Sequence, residues 1–100
     1  MIRHIVMWKF KDFAEDKTKE ENLLTVKSQL EALPQELPII RRLEVNLNEN
    51  QGPKNFDAVL ISEFDSFDDL ETYRTYPPHA AISAYVAKVS ENRACVDYTI

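Results

Sequence analysis

Ile2-Arg3-His4-Ile5-Val6-Met7-Trp8-Lys9-Phe10 decides the fold, because it is apolar on both of its sides. Its β-branched and aromatic residues read as a strand. Side chains alternate along a strand, so Ile2, His4, Val6, Trp8 and Phe10 share one side while Ile5 and Met7 share the other. Phe56 to Phe64 repeats the pattern, with Phe56, Ala58, Leu60 and Phe64 opposite Val59 and Ile61. Strands apolar on both sides belong in the middle of a sheet, where both faces are covered.

Two further strands lie outward of these in the expected sheet. Leu43, Val45 and Leu47 alternate with Arg42, Glu44 and Asn46, and Ala94, Val96, Tyr98 and Ile100 alternate near the C-terminus. Thr18-Lys19-Glu20-Glu21 has the form of a capping box. Leu23, Val26, Leu30 and Leu33 then recur at helical spacing, and Pro34 is expected to stop that helix. Asn48 to Asn55 reads as a polar hairpin loop holding Gly52, the only glycine. Ser66 is the expected cap of a second helix, with Asp68 and Asp69 in its first turn. Phe67, Leu70, Tyr73 and Arg74 define one side of it, and Pro77-Pro78 breaks it. Ile82, Tyr85, Val86 and Val89 mark one more helical segment.

The order β-α-β-β-α-β predicts a ferredoxin-like α+β sandwich, one domain over residues 1–100, with a four-stranded antiparallel sheet and helices on one face. Helices on one face leave Ile5, Met7, Val59 and Ile61 as an apolar patch on the other. The expected remedy is a homodimer packed sheet to sheet, burying on the order of 1,600 Å². A two-fold axis would make that contact self-complementary.

Composition narrows the function. An apolar fraction of 44% with 29% charged residues is that of an ordinary globular domain. A net charge of −5 argues against nucleic acid or an anionic membrane as partner. The single Cys95 cannot close an internal disulfide, which fits a reducing, cytoplasmic setting. No run is long enough to span a bilayer. Two distant histidines and Cys95 offer little to a metal, and one glycine leaves no phosphate-cradling loop or dinucleotide fingerprint. Neither a metal nor a cofactor is expected.

What remains is Phe64-Asp65-Ser66-Phe67-Asp68-Asp69-Leu70-Glu71-Thr72-Tyr73-Arg74-Thr75-Tyr76-Pro77-Pro78-His79. It delivers one of the two histidines to a fixed place six residues beyond Tyr73. A histidine is neutral and basic near pH 7, which suits His79 to take a proton from an acidic C–H or O–H. Tyr73 could steady the enolate charge that forms. His4, on the helix-facing side of the first strand, is placed to meet this segment. It would orient the pair or simply hydrogen-bond a backbone carbonyl.

The opening strand from Met1 to Lys11, Phe64-Asp65-Ser66 followed by Tyr73 and Tyr76-Pro77-Pro78-His79, and the closing Val96-Asp97-Tyr98 together resemble the stress-response dimeric α/β barrel (Dabb) family. The resemblance covers the whole chain. It implies a ferredoxin-like protomer with two sheets forming a barrel across a dimer. One member of the family is a polyketide cyclase that uses a tyrosine and a histidine, with a second histidine on the first strand. Matched by motif, these fall on Tyr73, His79 and His4. Tyr76 departs from the family's histidine ahead of the prolines, and Asn22, Leu23 and Val26 replace a more aromatic wall. Three functions follow: a binder of a small apolar or phenolic molecule, a cofactor-independent cyclase or isomerase, and a cofactor-free monooxygenase. The expected pocket walls are Val6, Trp8, Leu23, Val26, Leu60, Ile82 and Val86.

Overall fold

In the computed structural model, which describes residues 1–100, the sheet is built around β1 (Ile2–Phe10) and β5 (Ala58–Phe64). β4 (Arg42–Leu47) and β6 (Ser90–Thr99) flank them in the order β4-β5-β1-β6, every neighbour antiparallel. The two strands that are apolar on both sides are therefore the central ones. Ile2, Val6, Trp8 and Phe10 from β1, Ala58, Leu60 and Phe64 from β5, and Val45 from β4 face the helices. They pack there with Leu23, Val26, Leu30, Leu33, Leu70, Tyr73, Ile82, Val86 and Val89.

Helix α1 (Lys19–Glu31) starts with the expected capping box: Thr18 Oγ1 accepts from the Glu21 N–H, and the Thr18 N–H donates to Glu21 Oε1. Pro34 does not end it. The helix stops at Glu31, and Pro34 lies in the first turn of the one-turn α2 (Leu33–Glu36), where its missing N–H is not needed. α1 also guards an open sheet edge. The Val45 N–H donates to Glu31 and the Val45 carbonyl accepts from Lys27 Nζ, so two outward backbone groups of β4 are occupied.

The third strand begins at Ala58, not Phe56. Asp57 intervenes: its carboxylate accepts the Phe10 N–H at 2.8 Å while its own N–H donates to the Trp8 carbonyl at 2.7 Å. The ladder's terminal donor is thus met by a side chain, and Phe56 is left outside the strand. The last strand is longer than its alternation suggests. It runs from Ser90, with a register shift against β1 at Lys9 and Phe10.

A small hairpin absent from the sequence reading joins β1 to α1: β2 (Phe13–Ala14) pairs with β3 (Lys17–Thr18). Its turn residues Glu15 and Asp16 have φ of 51° and 61°, the left-handed geometry of a tight two-residue turn. Neither is the Asn or Gly that takes this geometry cheaply. Glu15→Asn with Asp16→Gly should therefore stabilise the fold by about 1 kcal/mol. Calorimetry would show Tm raised by about 4–8 °C. An unchanged or lowered Tm would mean that the turn carries no such strain.

Ser66 Oγ caps α3 (Phe67–Thr75) by accepting the Asp69 N–H, with Asp68 and Asp69 in the first turn. Leu70 and Tyr73 form its inward side, whereas Phe67 is 55% exposed and Arg74 is open to solvent. Tyr76 then takes the extended conformation that a residue before proline prefers, and Pro77 and Pro78 open α4 (Pro77–Val89). No helix is long and apolar enough to cross a membrane.

The opposite face of the sheet has no helix on it. Ile5 is paired to Ile61 and Val96, and Met7 to Val59 and Ala94, with Tyr98 one pair further along beside Arg3. Met7, Val96 and Tyr98 are 39%, 54% and 38% exposed. The apolar side of β6 therefore belongs to the bare face, and its other side carries Arg93, Cys95, Asp97 and Thr99.

Candidate functional site

Helix-facing alternation on β1 puts His4 between Ser62 of β5 and Asp97 of β6. The ring is buried, and its Nδ1 lies 2.5 Å from Asp97 Oδ1. The partner is thus a carboxylate rather than the backbone carbonyl of the simpler expectation. An ionised carboxylate only accepts, so Nδ1 is the donor in this contact. Ser62 Oγ steadies the same place by donating to the His4 carbonyl.

Tyr73, in the last turns of α3, is fully buried against Phe64, with ring centroids 5.1 Å apart. It meets His4 edge-on at 6.4 Å and His79 at 4.2 Å. The three residues singled out in the sequence are therefore neighbours. The Tyr73 hydroxyl is buried with no hydrogen-bond partner, and burial pushes its pKa well above the ordinary 10. A buried polar group left unpaired is uncommon and asks for an explanation.

His79 is the third residue of α4 and half-buried. Its Nδ1–H donates to the Arg74 carbonyl at 3.2 Å, across the α3–α4 corner, which leaves Nε2 free to accept. Burial pushes its pKa below the ordinary 6.5. The Arg74 carbonyl partly opposes that shift, while His4 and the charges of Arg74 and Arg93 add to it. At neutral pH the imidazole is a free base.

These residues border a cavity of about 350 Å³ between the sheet and the α3–α4 pair. Val6, Trp8, Leu60, Ile82 and Val86 are in its lining, as are His4, Tyr73 and His79. Leu23 and Val26 are not. They are buried on α1, which packs toward β4 at the far edge of the sheet, and of that helix only Leu30 reaches the cavity. Asn22 is likewise occupied elsewhere, donating to the Ala14 carbonyl and accepting from the Tyr85 hydroxyl. The lining also includes Arg74, Ser83, Ser90 and Arg93, none of which was expected as a pocket wall.

Cys95 brings a further group together. Its Sγ lies 3.8 Å from both His4 Nδ1 and Asp97 Oδ1, so thiol, imidazole and carboxylate are within 4.8 Å of one another. Residues 95 and 97 share one side of β6, and its register against β1 sets both beside His4. Burial and Asp97 push the thiol's pKa up while Arg93 and Arg74 pull it down, with a net rise that keeps it protonated. Two guanidinium charges beside the group also oppose a divalent cation there. Asp97 and Cys95 thus flank the His4 ring from β6.

Comparison with known proteins identifies the family and the fold. The family model for the stress responsive A/B barrel domain matches residues 2–100. A dimeric protein of unknown function with a ferredoxin-like fold from Bacteroides fragilis is 39% identical, covering 99% of this chain and 95% of that one, with a TM-score of 0.85. A hydroxynitrile lyase from Passiflora edulis is similar in fold at 16% identity, with 99% and 92% covered and a TM-score of 0.82. An antibiotic biosynthesis monooxygenase is similar at 15% identity, with 100% and 98% covered and a TM-score of 0.75. No curated protein matches the chain.

Proposed function

The chain belongs to the stress responsive A/B barrel domain family, and from that premise we propose that it is a homodimer that binds a small, largely apolar or phenolic molecule in the sheet–helix cavity and removes a proton from it through His79. The observation that carries this reading is the unpartnered, buried Tyr73 hydroxyl, 4.2 Å between ring centroids from a neutral imidazole in the wall of that cavity. An enolate or alkoxide oxygen is the kind of partner such a hydroxyl lacks.

In this mechanism the Arg74 carbonyl holds the Nδ1–H of His79, so Nε2 receives the proton from an acidic C–H or O–H. Tyr73 donates to the oxygen on which charge develops. His4, fixed by Asp97, orients the Tyr73 ring. Return of the proton from His79 completes an isomerisation, a ring closure or a cleavage, with no cofactor required. The dimer rests on the bare apolar sheet face and on a dimeric relative 39% identical to this chain.

Methyl-deuterium incorporation into acetophenone in D2O, followed by proton NMR, tests the proton transfer. Aldehyde release from mandelonitrile tests the cleavage branch that the lyase-like fold suggests. Wild type should accelerate at least one over protein-free buffer, and His79→Ala should not. Binding of both probes with no acceleration would remove the catalytic part and leave a binding protein. Oxygen uptake with a quinol, unaffected by His79→Ala, would instead favour the monooxygenase reading.

A further inference from the structure

Five arginines occur in the chain: Arg3, Arg41, Arg42, Arg74 and Arg93. Arg3 pairs with Glu63, Arg41 with Asp65, and Arg42 with Glu63 and Glu44. Arg74 and Arg93 make no ion pair, although the protein carries 17 acidic residues and a net charge of −5. Both line the one cavity that holds His79, reaching it from different elements, α3 and β6. No carboxylate belongs to that lining, and Asp97, the acidic group beside the site, is taken by His4.

Unpaired arginines are therefore concentrated at the cavity in a protein that could easily have paired them. Both are exposed, so they stand where the cavity opens to solvent, while Val6, Leu60, Ile82 and Val86 form its apolar body. Ser83 and Ser90 add hydroxyls to the same lining. A guanidinium presents a planar fork of donors that matches a carboxylate. The field of the two reaches the site itself, since both depress the His79 pKa.

We propose that Arg74 and Arg93 form a carboxylate subsite at the cavity mouth, so that the ligand is a small hydrophobic acid whose apolar body enters the cavity while its carboxylate stays between the two guanidinium groups. This rests on the cavity being the ligand site and adds the chemical class of what it takes. Electrostatics also favours such a ligand's approach, because a positive mouth on an otherwise acidic surface is a local attractor for anions.

The test is a calorimetric series of ω-phenyl acids, from benzoate to 4-phenylbutyrate, each compared with its neutral amide. Wild type, Arg74→Gln, Arg93→Gln and the double variant are titrated. Both side chains are exposed, so the variants should fold, and thermal melts check this. In wild type the best acid should bind about 10- to 100-fold tighter than its amide, as charge-assisted hydrogen bonds require. Each single variant should shrink that preference and the double variant should abolish it, with amide affinity unchanged throughout. Equal binding of acid and amide, or a preference surviving in the double variant, would overturn the subsite while leaving the cavity as a ligand site. Binding of no acid and no amide across the series would overturn both.

Discussion

Met7→Asp should abolish the dimer and leave monomers or insoluble protein. Met7 lies near the centre of the bare sheet face, paired to Val59 on one side and Ala94 on the other, with Ile5, Ile61 and Val96 around it. The nearest cations on that face are Lys9, near the end of β1 with its Nζ on the Pro53 carbonyl, and Lys54, at the rim of the hollow that Met7 borders. Arg3 and Arg42 lie further along the face and already share Glu63. A carboxylate there would be buried among Ile5, Val59, Ile61 and Val96 with no cation paired to it, at a cost of roughly 3–5 kcal/mol. A two-fold axis repeats the cost. The dissociation constant should therefore rise by about four orders of magnitude or more. Light scattering coupled to size exclusion measures this directly. A soluble, folded dimer carrying Asp at position 7 would mean that the two copies meet elsewhere.

His79→Ala should cost about 10²- to 10⁴-fold in any proton-transfer rate, the usual contribution of a positioned general base. Its effect on stability should be small. The ring is half-buried and makes one hydrogen bond, to the Arg74 carbonyl, worth about 1 kcal/mol. The two quantities separate a base from a packing residue: a large fall in Tm with an unchanged rate would make His79 structural.

The pH dependence follows from burial, the leading cause of the lowered His79 pKa. The folded protein binds the His79 proton less readily than the unfolded chain, whose value is near 6.5. The associated stability is fully present above pH 6.5 and is lost as pH falls through the lower folded value. Wild type should lose more stability than His79→Ala over that interval. The rate should rise with pH through the same lowered value and be level at neutrality.

Much of this was legible from residue order because it depends on short-range patterns. Alternation in Ile2–Phe10 identified a central strand and the His4 side of it. Ser66, Tyr73 and the Pro77-Pro78 step placed His79 against Tyr73, since capping and proline geometry are local rules. Contacts that depend on register across the sheet were not legible. His4 meets Asp97 and Cys95 only because β6 pairs with β1 in one particular register. Arg74 and Arg93 look like ordinary solvated charges until the absence of partners is seen. Helical spacing marks Leu23 and Val26 as buried but cannot tell core from cavity wall, and both proved to be core. The 13–18 hairpin carries no local signal, because Glu15-Asp16 lacks the Asn-Gly chemistry that usually announces such a turn.

Long-range proton–nitrogen NMR of the His79 imidazole reads the proposed base itself. At pH 7 it should show a neutral ring protonated at Nδ1 and bare at Nε2, with a pKa below 6.5 and a shift of the Nε2 signal when 4-phenylbutyrate is added. An imidazole titrating at or above 6.5, protonated at Nε2 and indifferent to the added acid, would contradict the assignment of the cavity's chemistry to His79.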